Sequence, residues 1–455
     1  MKRRTLVVFL ALSMFFIYPL SSSATEPKPG GRLIVGIDSD LKQLDPHKGV
    51  TAIEGQVFTL VCENLVESTR DFRPGPGLAV SWEISSNGME WVFQLRKGVK
   101  FHNGREFTAE DVKWNMDRIM DPATKATTRS RFAGVQTVEV VDRYAVKFVM
   151  KEPAGGILAA FFGSGVQAPI VAPECVKEDG TISHPIGTGP FEFIEWKANE
   201  RITFKKFGEY WDKPRPYLDE VVLKPIPDEM VRLSALQAGD VDLTYRMPKD
   251  EVAKLMKKPS DKFKLDGSAL GQTIFVHFNV SKPPFDDVRV RQAVAQGINK
   301  EELLLGVNQG YGEVVSQPFS TSSFWYADVP ALGRDIAKAK ALLKSAGFPN
   351  GLDITLVTNN TYPDMLATAQ ILQGQLLDIG MRITLDVTDW PTFVGRSVKG
   401  DYTMAVAGWA AIADPTILYP AAFIPGGAYS FLVGKGYNNP DMSMAIQQGE
   451  QASNA

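Results

Sequence analysis

The sequence predicts an α/β protein built from at least two lobes. Alternating strand patterns and helix-like runs with capping residues interleave along the whole chain, and no tandem repeat is present. The chain has 455 residues, which is more than one hydrophobic core ordinarily organises. The interleaving therefore predicts α/β lobes, and the length predicts more than one of them.

The first residues have the layout of a secretory signal peptide. Lys2, Arg3 and Arg4 precede an apolar run at residues 5–20, and small residues follow up to Ala24. A retained membrane anchor is the alternative, but the run is short for a span and contains a proline. We expect cleavage near Ala24 and a mature protein in the periplasm.

Period-two alternation and compact apolar runs predict the strands. Trp91, Phe93 and Leu95 share one face, and the two runs around Asp142-Arg143 suggest a hairpin. The predicted strands lie at residues 32–37, 91–95, 138–148 (the hairpin), 191–196, 202–207, 221–226, 274–278 and 403–407.

Capping residues predict the helices. Candidate N-caps stand before amphipathic runs, and glycines follow several of these runs, as at Gly239, Gly347 and Gly380. The predicted helices follow Thr108, Asp228, Asp287 (a single run over residues 288–307), Asp335 and Asp364 (to about residue 379).

Composition and motifs favour binding over catalysis. The formal net charge is −3, which does not indicate a basic surface for binding nucleic acid. No metalloprotease, serine-hydrolase or P-loop motif is present, and no cofactor is predicted. The four histidines have no metal-ligand spacing. Cys62 and Cys175 are the only cysteines. They could form a disulfide in an oxidising compartment or remain two separate buried thiols.

Trp409 is the aromatic residue that most suggests a binding site. It follows the apolar run at residues 403–407 in a segment rich in Gly and Ala, and Asp414-Pro415 comes soon after. A large ring at the end of a strand could line a pocket, and it could equally be a core tryptophan.

An ordered series of motifs resembles the family 5 extracellular solute-binding proteins of ABC transporters. The likeness runs from about Gly31 to the end of the chain. The motifs include LDPH (44–47), ENLV (63–66), WVFQLRKGVKFHNGREFTAEDVKWNMDR (91–118), PIGTGPFEFIEW (185–196), LQAGDVDL (236–243), FDDVRVRQAVAQGINKEEL (285–303) and AKALLKSAGFPNG (339–351).

This resemblance implies a two-lobed, hinged binder of the periplasmic-binding-protein type, with ligand held between the lobes. The implied first lobe comprises residues 25–57 and 183–272 and carries an extra subdomain at 58–182. The second lobe comprises residues 273–455. Family members usually continue beyond the point where this chain stops, so the second lobe is expected to be incomplete.

The resemblance also implies which residues contact the ligand. Trp409 would stack on it and Tyr362 would touch it, while main-chain groups near Ile412 to Asp414 would orient it. Peptide-binding relatives have an aspartate at the position of Ile412, where it pairs with the peptide's amino group, and dipeptide binders have an arginine at the position of Asn360. Neither side chain is present here.

These observations predict a non-catalytic, monomeric substrate-binding component of an ABC import system. It would capture a peptide or peptide-sized solute and deliver it to the permease in the membrane. A non-peptide solute such as an oligosaccharide, opine or haem is the alternative, favoured by Ile412. A periplasmic hydrolase and a receptor-docking sensor or chaperone are the rivals from other classes. Nickel is unsupported because no histidine occurs after His277.

Overall fold

A computed structural model of the chain describes residues 27–49, 51–69, 73–153, 155–161, 168–258, 262, 264–265, 272–410, 415–427 and 429–451. The signal-peptide residues, Ile412 and Asp414 lie outside the described residues. Short 3-10 helices are at Pro46–Lys48, Pro122–Thr124, Arg129–Phe132, Gly155–Ala160 and Pro173–Cys175.

The strands alternate with helices along the described chain. They are β1 (Arg32–Ile37), β2 (Val66–Ser68), β3 (Pro74–Pro76), β4 (Ala79–Ile84), β5 (Glu90–Leu95), β6 (Val135–Asp142), β7 (Ala145–Met150), β8 (Phe191–Lys197), β9 (Arg201–Lys206), β10 (Glu220–Pro225), β11 (Leu243–Thr244), β12 (Gln272–Phe278), β13 (Leu352–Asn359), β14 (Met381–Thr388) and β15 (Met404–Ala410).

The α-helices fall mainly in the second half of the chain. They are α1 (Ala52–Val61), α2 (Ala109–Met120), α3 (Glu229–Ala238), α4 (Lys249–Lys257), α5 (Val288–Gly297), α6 (Lys300–Asn308), α7 (Ile336–Ser345), α8 (Pro363–Leu377), α9 (Trp390–Lys399), α10 (Pro415–Phe423), α11 (Ser430–Val433) and α12 (Pro440–Gln451).

Three larger sheets organise the molecule. The first has the order β11-β1-β10-β9-β8, in which β1 runs parallel to β10 and β11. The second, β4-β5-β7-β6, is wholly antiparallel. The third has the order β12-β15-β13-β14, in which β13 runs parallel to both β14 and β15. Each sheet has its own buried apolar cluster, as expected for separately packed layers.

Most of the predicted elements are confirmed. The strand at residues 32–37 is β1, and the hairpin at Asp142-Arg143 joins β6 to β7. Asp228 caps α3 by accepting from two backbone amides, and Gly239 ends that helix with a positive φ. Local capping chemistry decides these boundaries, so the sequence alone reveals them.

Two predicted elements are wrong in detail. The single helix over residues 288–307 is two helices, because Ile298 is extended and the Asn299 side chain caps the second helix at the Glu302 amide. The strand that was expected to end at residue 407 continues to Ala410, so Trp409 lies within β15. Pairing with β12 extends that strand, since Trp409 lies opposite Thr273.

The GTGP segment at residues 187–190 is a packing element. Gly189 donates its amide to the Val61 carbonyl at 2.9 Å. A Cβ on Gly187 would overlap that same carbonyl oxygen. Glycine is therefore required for the backbone to pass over the end of α1 and enter β8.

Cys62 and Cys175 are free, buried thiols within one apolar cluster. Burial raises the pKa of the Cys175 thiol to about 11 and that of the Cys62 thiol well above its usual value. The structure therefore agrees with the alternative of two unpaired thiols.

Candidate ligand-binding site

The third sheet presents the ends of three parallel strands at one edge. Strand β13 ends at Asn359 and β14 at Thr388, and their alignment continues past the sheet because Asn360 donates its amide to the Thr388 carbonyl at 3.0 Å. Parallel strands in α/β proteins commonly bind ligands outside their carboxyl ends. This edge, which also holds Trp409 near the end of β15, is the candidate site.

Trp409 is half-buried at this edge and has an unsatisfied polar atom. Its ring packs on Phe275 with centroids 4.2 Å apart and planes inclined by 42°. Its indole Nε1 is buried and has no hydrogen-bond partner among the described residues. A buried donor without an acceptor costs about 1–3 kcal/mol, so an acceptor brought by a ligand would relieve that cost. The ring is neither a fully buried core residue nor freely exposed.

Tyr362 stands at the same edge, in the turn between β13 and α8. Its amide donates to the Asn359 side-chain oxygen at 3.0 Å, which fixes the turn. Its side chain is 39% exposed, and its ring meets Trp390 edge-on at 5.0 Å. Asn360 is exposed beside it. Both predicted residues therefore lie where a ligand at this edge could reach them.

A continuous band of rings joins Tyr362 to Trp409 across the sheet. Successive centroid separations are 5.0 Å for Tyr362–Trp390, 5.3 Å for Trp390–Phe393, 6.3 Å for Phe393–His277, 6.1 Å for His277–Phe275 and 4.2 Å for Phe275–Trp409. We call these six residues the aromatic band. Sequence reasoning identified only its two ends.

His277 is the histidine of the aromatic band. It is 1% exposed, and within the part of the chain that the structure describes neither ring nitrogen has a hydrogen-bond partner. Burial lowers the pKa of His277 to about 3, because an imidazolium here would be removed from water. The imidazole is therefore neutral at neutral pH.

The sequence model of the bacterial extracellular solute-binding proteins, family 5 (Middle), matches residues 73–430. This chain belongs to that family. Membership confirms the resemblance seen in the motifs, and it makes the chain a solute-binding protein. The family description places its members outside the cytoplasm. Among the described residues, no helix has the length and apolarity to cross a membrane.

Similar proteins share most of the chain. The glutathione-binding protein GsiB of Pectobacterium atrosepticum is 30% identical over 78% of this chain and 69% of its own length. The same-named protein of Escherichia coli O1:K1 is 28% identical over the same shares. These relatives are named as binding proteins and not as enzymes.

A solved structure confirms the predicted fold class, a two-lobed α/β architecture of the periplasmic-binding-protein type. The ABC transporter-associated periplasmic binding protein DppA of Helicobacter pylori, in complex with the peptide STSA, has a TM-score of 0.71 and 29% identity. It covers 94% of this chain and 88% of its own.

Arg131 is a candidate functional residue that no sequence pattern indicated. It lies in the short 3-10 helix Arg129–Phe132, near Tyr429, which is almost 300 positions later in the chain. Partial removal from water lowers the pKa of Arg131, and the Tyr429 phenol acts in the opposite direction. The described residues provide no acidic partner for its guanidinium. Only the fold brings residues so distant in sequence together.

Helix α4, which precedes the third sheet in the chain, contacts residues close to the candidate site. Lys249, at the start of α4, donates to the Asn308 side chain at 2.8 Å and forms an ion pair with Asp364. Gln309 donates to Asp250 at 3.4 Å. Asp364 lies two residues after Tyr362, so this contact is adjacent to the proposed ligand edge.

The strongly perturbed carboxylate, Glu63, is structural. It accepts from the Tyr210 hydroxyl at 2.8 Å, from the Trp211 indole at 3.0 Å and from the Thr188 hydroxyl at 2.8 Å. Burial raises the pKa of Glu63 to about 7, against the effect of these donors. Its oxygens are occupied by protein groups, so it has no free position for a substrate. Within the described residues no cluster of three metal ligands occurs either.

Proposed function

We propose that this protein captures a peptide or peptide-sized solute outside the inner membrane and delivers it to the permease of an ABC import system. Membership of family 5 supports the solute-binding role. The similar proteins named above are a glutathione binder and an ABC transporter-associated protein with a bound tetrapeptide. The role is non-catalytic, and it requires no cofactor and no nucleic acid.

The observation that carries this proposal is the unpartnered indole of Trp409. A buried N–H at the carboxyl end of β15, continuous with five further rings that end at the exposed Tyr362, offers both stacking area and a donor. Pockets for organic solutes combine such apolar walls with a few placed polar groups. A peptide carbonyl is an acceptor of the type that this donor requires.

The proposed lobes follow the order inferred from the sequence. Residues 25–57 and 183–272 form the first lobe, residues 58–182 its subdomain, and residues 273–455 the second lobe. Ligand lies between them and is enclosed by a hinge motion. The mature protein is a periplasmic monomer released by cleavage near Ala24.

Ile412 and Asn360 stand where some relatives have the charged groups that hold a free peptide. The proposed contacts are Trp409, Tyr362, Asn360 and the main chain from Ile412 to Asp414. An ammonium buried at this edge would need a charged or well-placed polar partner, and isoleucine supplies none. This feature favours a non-peptide solute as the second candidate. The PBP AgaA of A. tumefaciens R10, solved in complex with agropinic acid, is 29% identical with a TM-score of 0.69, covering 93% of this chain and 86% of its own.

The experiment is a ligand panel read by thermal shift on the mature protein. Glutathione, unmodified di- to tetrapeptides and their N-acetylated forms are compared with oligosaccharides, an opine and haem. Stabilisation by peptides supports the proposal, since a ligand that binds only the folded state raises its melting temperature. Stabilisation by a non-peptide solute alone selects the second candidate. Turnover of any panel member would replace both with an enzymatic role.

A further inference from the structure

A basic pocket lies on the subdomain beside the end of α2. Its volume is about 590 Å³, within the usual size range for small-molecule sites. Buried Ala126, Phe132 and Val135 form its floor. Three cations, Lys125, Arg129 and Lys151, line it, and no acidic residue does.

Two of these cations are held in place by neutral groups. Arg129 donates its Nε to the Met120 carbonyl at 2.9 Å, and Lys151 donates its Nζ to the Ala133 carbonyl at 2.7 Å. A guanidinium has five N–H donors and an ammonium has three. Each bond therefore fixes the side chain while leaving further donors and the whole positive charge available.

The charge of the pocket is uncompensated. The described residues supply no carboxylate within ion-pair distance of Lys125, Arg129 or Lys151. Lys113 and Arg118, on the neighbouring helix α2, both have acidic partners. All three side chains are exposed, so water and salt screen the repulsion between their like charges but do not abolish it. An anion would relieve that repulsion.

The pocket also lies next to the candidate boundary between lobes. Arg131, which stands between Arg129 and Phe132 of the lining, lies near Tyr429. On the other side, Thr127 donates its hydroxyl to the Gly49 carbonyl at 2.8 Å and its amide to the His47 carbonyl at 3.1 Å. The pocket therefore lies where the subdomain adjoins residues of both proposed lobes.

We propose that this pocket receives the carboxylate or phosphate group of an anionic solute. The inference rests on the proposed capture function and narrows its ligand to solutes with at least one oxyanion. Arg129 can offer two terminal nitrogens to such a group in a bidentate arrangement. The apolar floor accommodates the carbon skeleton beside the charged group.

The test is calorimetric titration of the mature protein with two probes, glutathione and inorganic pyrophosphate. The double variant Lys125→Gln, Arg129→Gln removes two pocket charges. The control, Lys100→Gln with Lys113→Gln, makes the same change in net charge on the same subdomain outside the pocket. We expect the pocket variant to weaken binding of a probe about tenfold or more, because it removes charge-assisted hydrogen bonds, and the control to leave it within about twofold.

Two further measurements, one with a single variant and one with a modified probe, complete the test. Lys125 Nζ has no hydrogen-bond partner among the described residues, so Lys125→Gln alone tests the pocket without disturbing a bond that supports the fold. Glutathione with both carboxyls amidated should bind more weakly than glutathione, whereas pyrophosphate binding without glutathione binding would identify phosphate as the group.

Equal loss in the pocket and control variants, or no binding of either probe, would overturn the inference. Peptide binding that is insensitive to the pocket variant would also overturn it while leaving the proposed function intact. If pyrophosphate binds at the pocket and no peptide stabilises the protein, the pocket is an anion site and the proposal of a peptide ligand is rejected.

Discussion

Lys249 and Asp364 form an ion pair that ties the start of α4 to the first turn of α8, two residues beyond Tyr362. Lys249 also holds Asn308 of α6. The pair therefore connects a helix that precedes the third sheet with the helix that begins at the candidate ligand edge. A link in this position would favour one arrangement of the lobes over another.

Replacement of Lys249 by Gln should weaken ligand binding modestly. The two side chains are 45% and 31% exposed, and pairs of this kind contribute about 0.2–1 kcal/mol. That range corresponds to a Kd up to about fivefold weaker for the best ligand of the panel. Lys254→Gln is the control, since Lys254 pairs with Glu251 on its own helix. The same Kd for both variants would show that the link does not affect capture.

Replacement of Trp409 by Phe should weaken ligand binding while leaving the fold intact. The variant keeps a ring on Phe275 but loses the unpartnered indole N–H. One hydrogen bond contributes about 0.5–1.5 kcal/mol, so we expect a Kd weaker by about twofold to tenfold in fluorescence or calorimetric titration.

Trp82→Phe is the matched control for that measurement, because Trp82 packs on Phe93 in the second sheet. If Trp82→Phe and Trp409→Phe lower the affinity equally, the indole of Trp409 does not contact the ligand.

Replacement of His277 by Leu should stabilise the protein. Two buried, unpartnered ring nitrogens are removed from the aromatic band, and each such group costs about 1–3 kcal/mol. We expect an increase of about 1 kcal/mol or more in the free energy of unfolding at pH 7, measured by urea denaturation.

The advantage of His277→Leu should grow as the pH falls. Burial lowers the pKa of His277 to about 3, so below its unfolded value of about 6.5 only the unfolded state binds the proton. The native protein then loses roughly 1.4 kcal/mol per pH unit on account of this residue, down to about pH 3. His184→Leu, at an exposed position, is the control. A constant difference between pH 7 and pH 4 would contradict the prediction.

Replacement of Glu63 by Gln should destabilise the protein most at acid pH. Three groups donate hydrogen bonds to the Glu63 carboxyl: the Tyr210 hydroxyl, the Trp211 indole and the Thr188 hydroxyl. The side-chain amide of glutamine has one acceptor oxygen and cannot accept from all three, which leaves a buried donor unsatisfied at a cost of about 1–3 kcal/mol. Burial raises the pKa of Glu63 to about 7, so its contribution is fully present below about pH 4.5 and is lost as pH rises through 7. Urea denaturation of both proteins at pH 5 and pH 8 measures the difference in their free energies of unfolding. A larger loss of unfolding free energy at pH 8 than at pH 5 would contradict the prediction.

The two cysteines should behave as inert, unpaired thiols. Cys62 and Cys175 are buried, and burial raises the pKa of both thiols, so the reactive thiolate is scarce. We expect two thiols per chain to react with a disulfide reagent only after denaturation, and the melting temperature to be the same with and without dithiothreitol. A mass two hydrogens lighter, or a melting temperature lowered by the reductant, would instead demonstrate a disulfide.

Short-range patterns explain why much of the fold could be predicted. The cap at Asp228, the stop at Gly239 and the alternation in β5 depend on residues within one turn or strand. The break at Ile298-Asn299 was missed because the apolar periodicity continues through it, while the Asn299 amide is held by the side chain of Gln375, 76 positions away. The extension of β15 likewise depends on its partner β12.

The sequence by itself determined the α/β class, most element boundaries and the family, because capping, alternation and ordered motifs are properties of neighbouring residues. It also identified Trp409 and Tyr362 but not the rings between them. Only the tertiary structure decided that the aromatic band is continuous and that Arg131 lies near Tyr429. It also decided that Lys125, Arg129 and Lys151 share one pocket without an acid. The physical reason is that contacts and uncompensated charge depend on which distant segments pack together, and no local pattern encodes that.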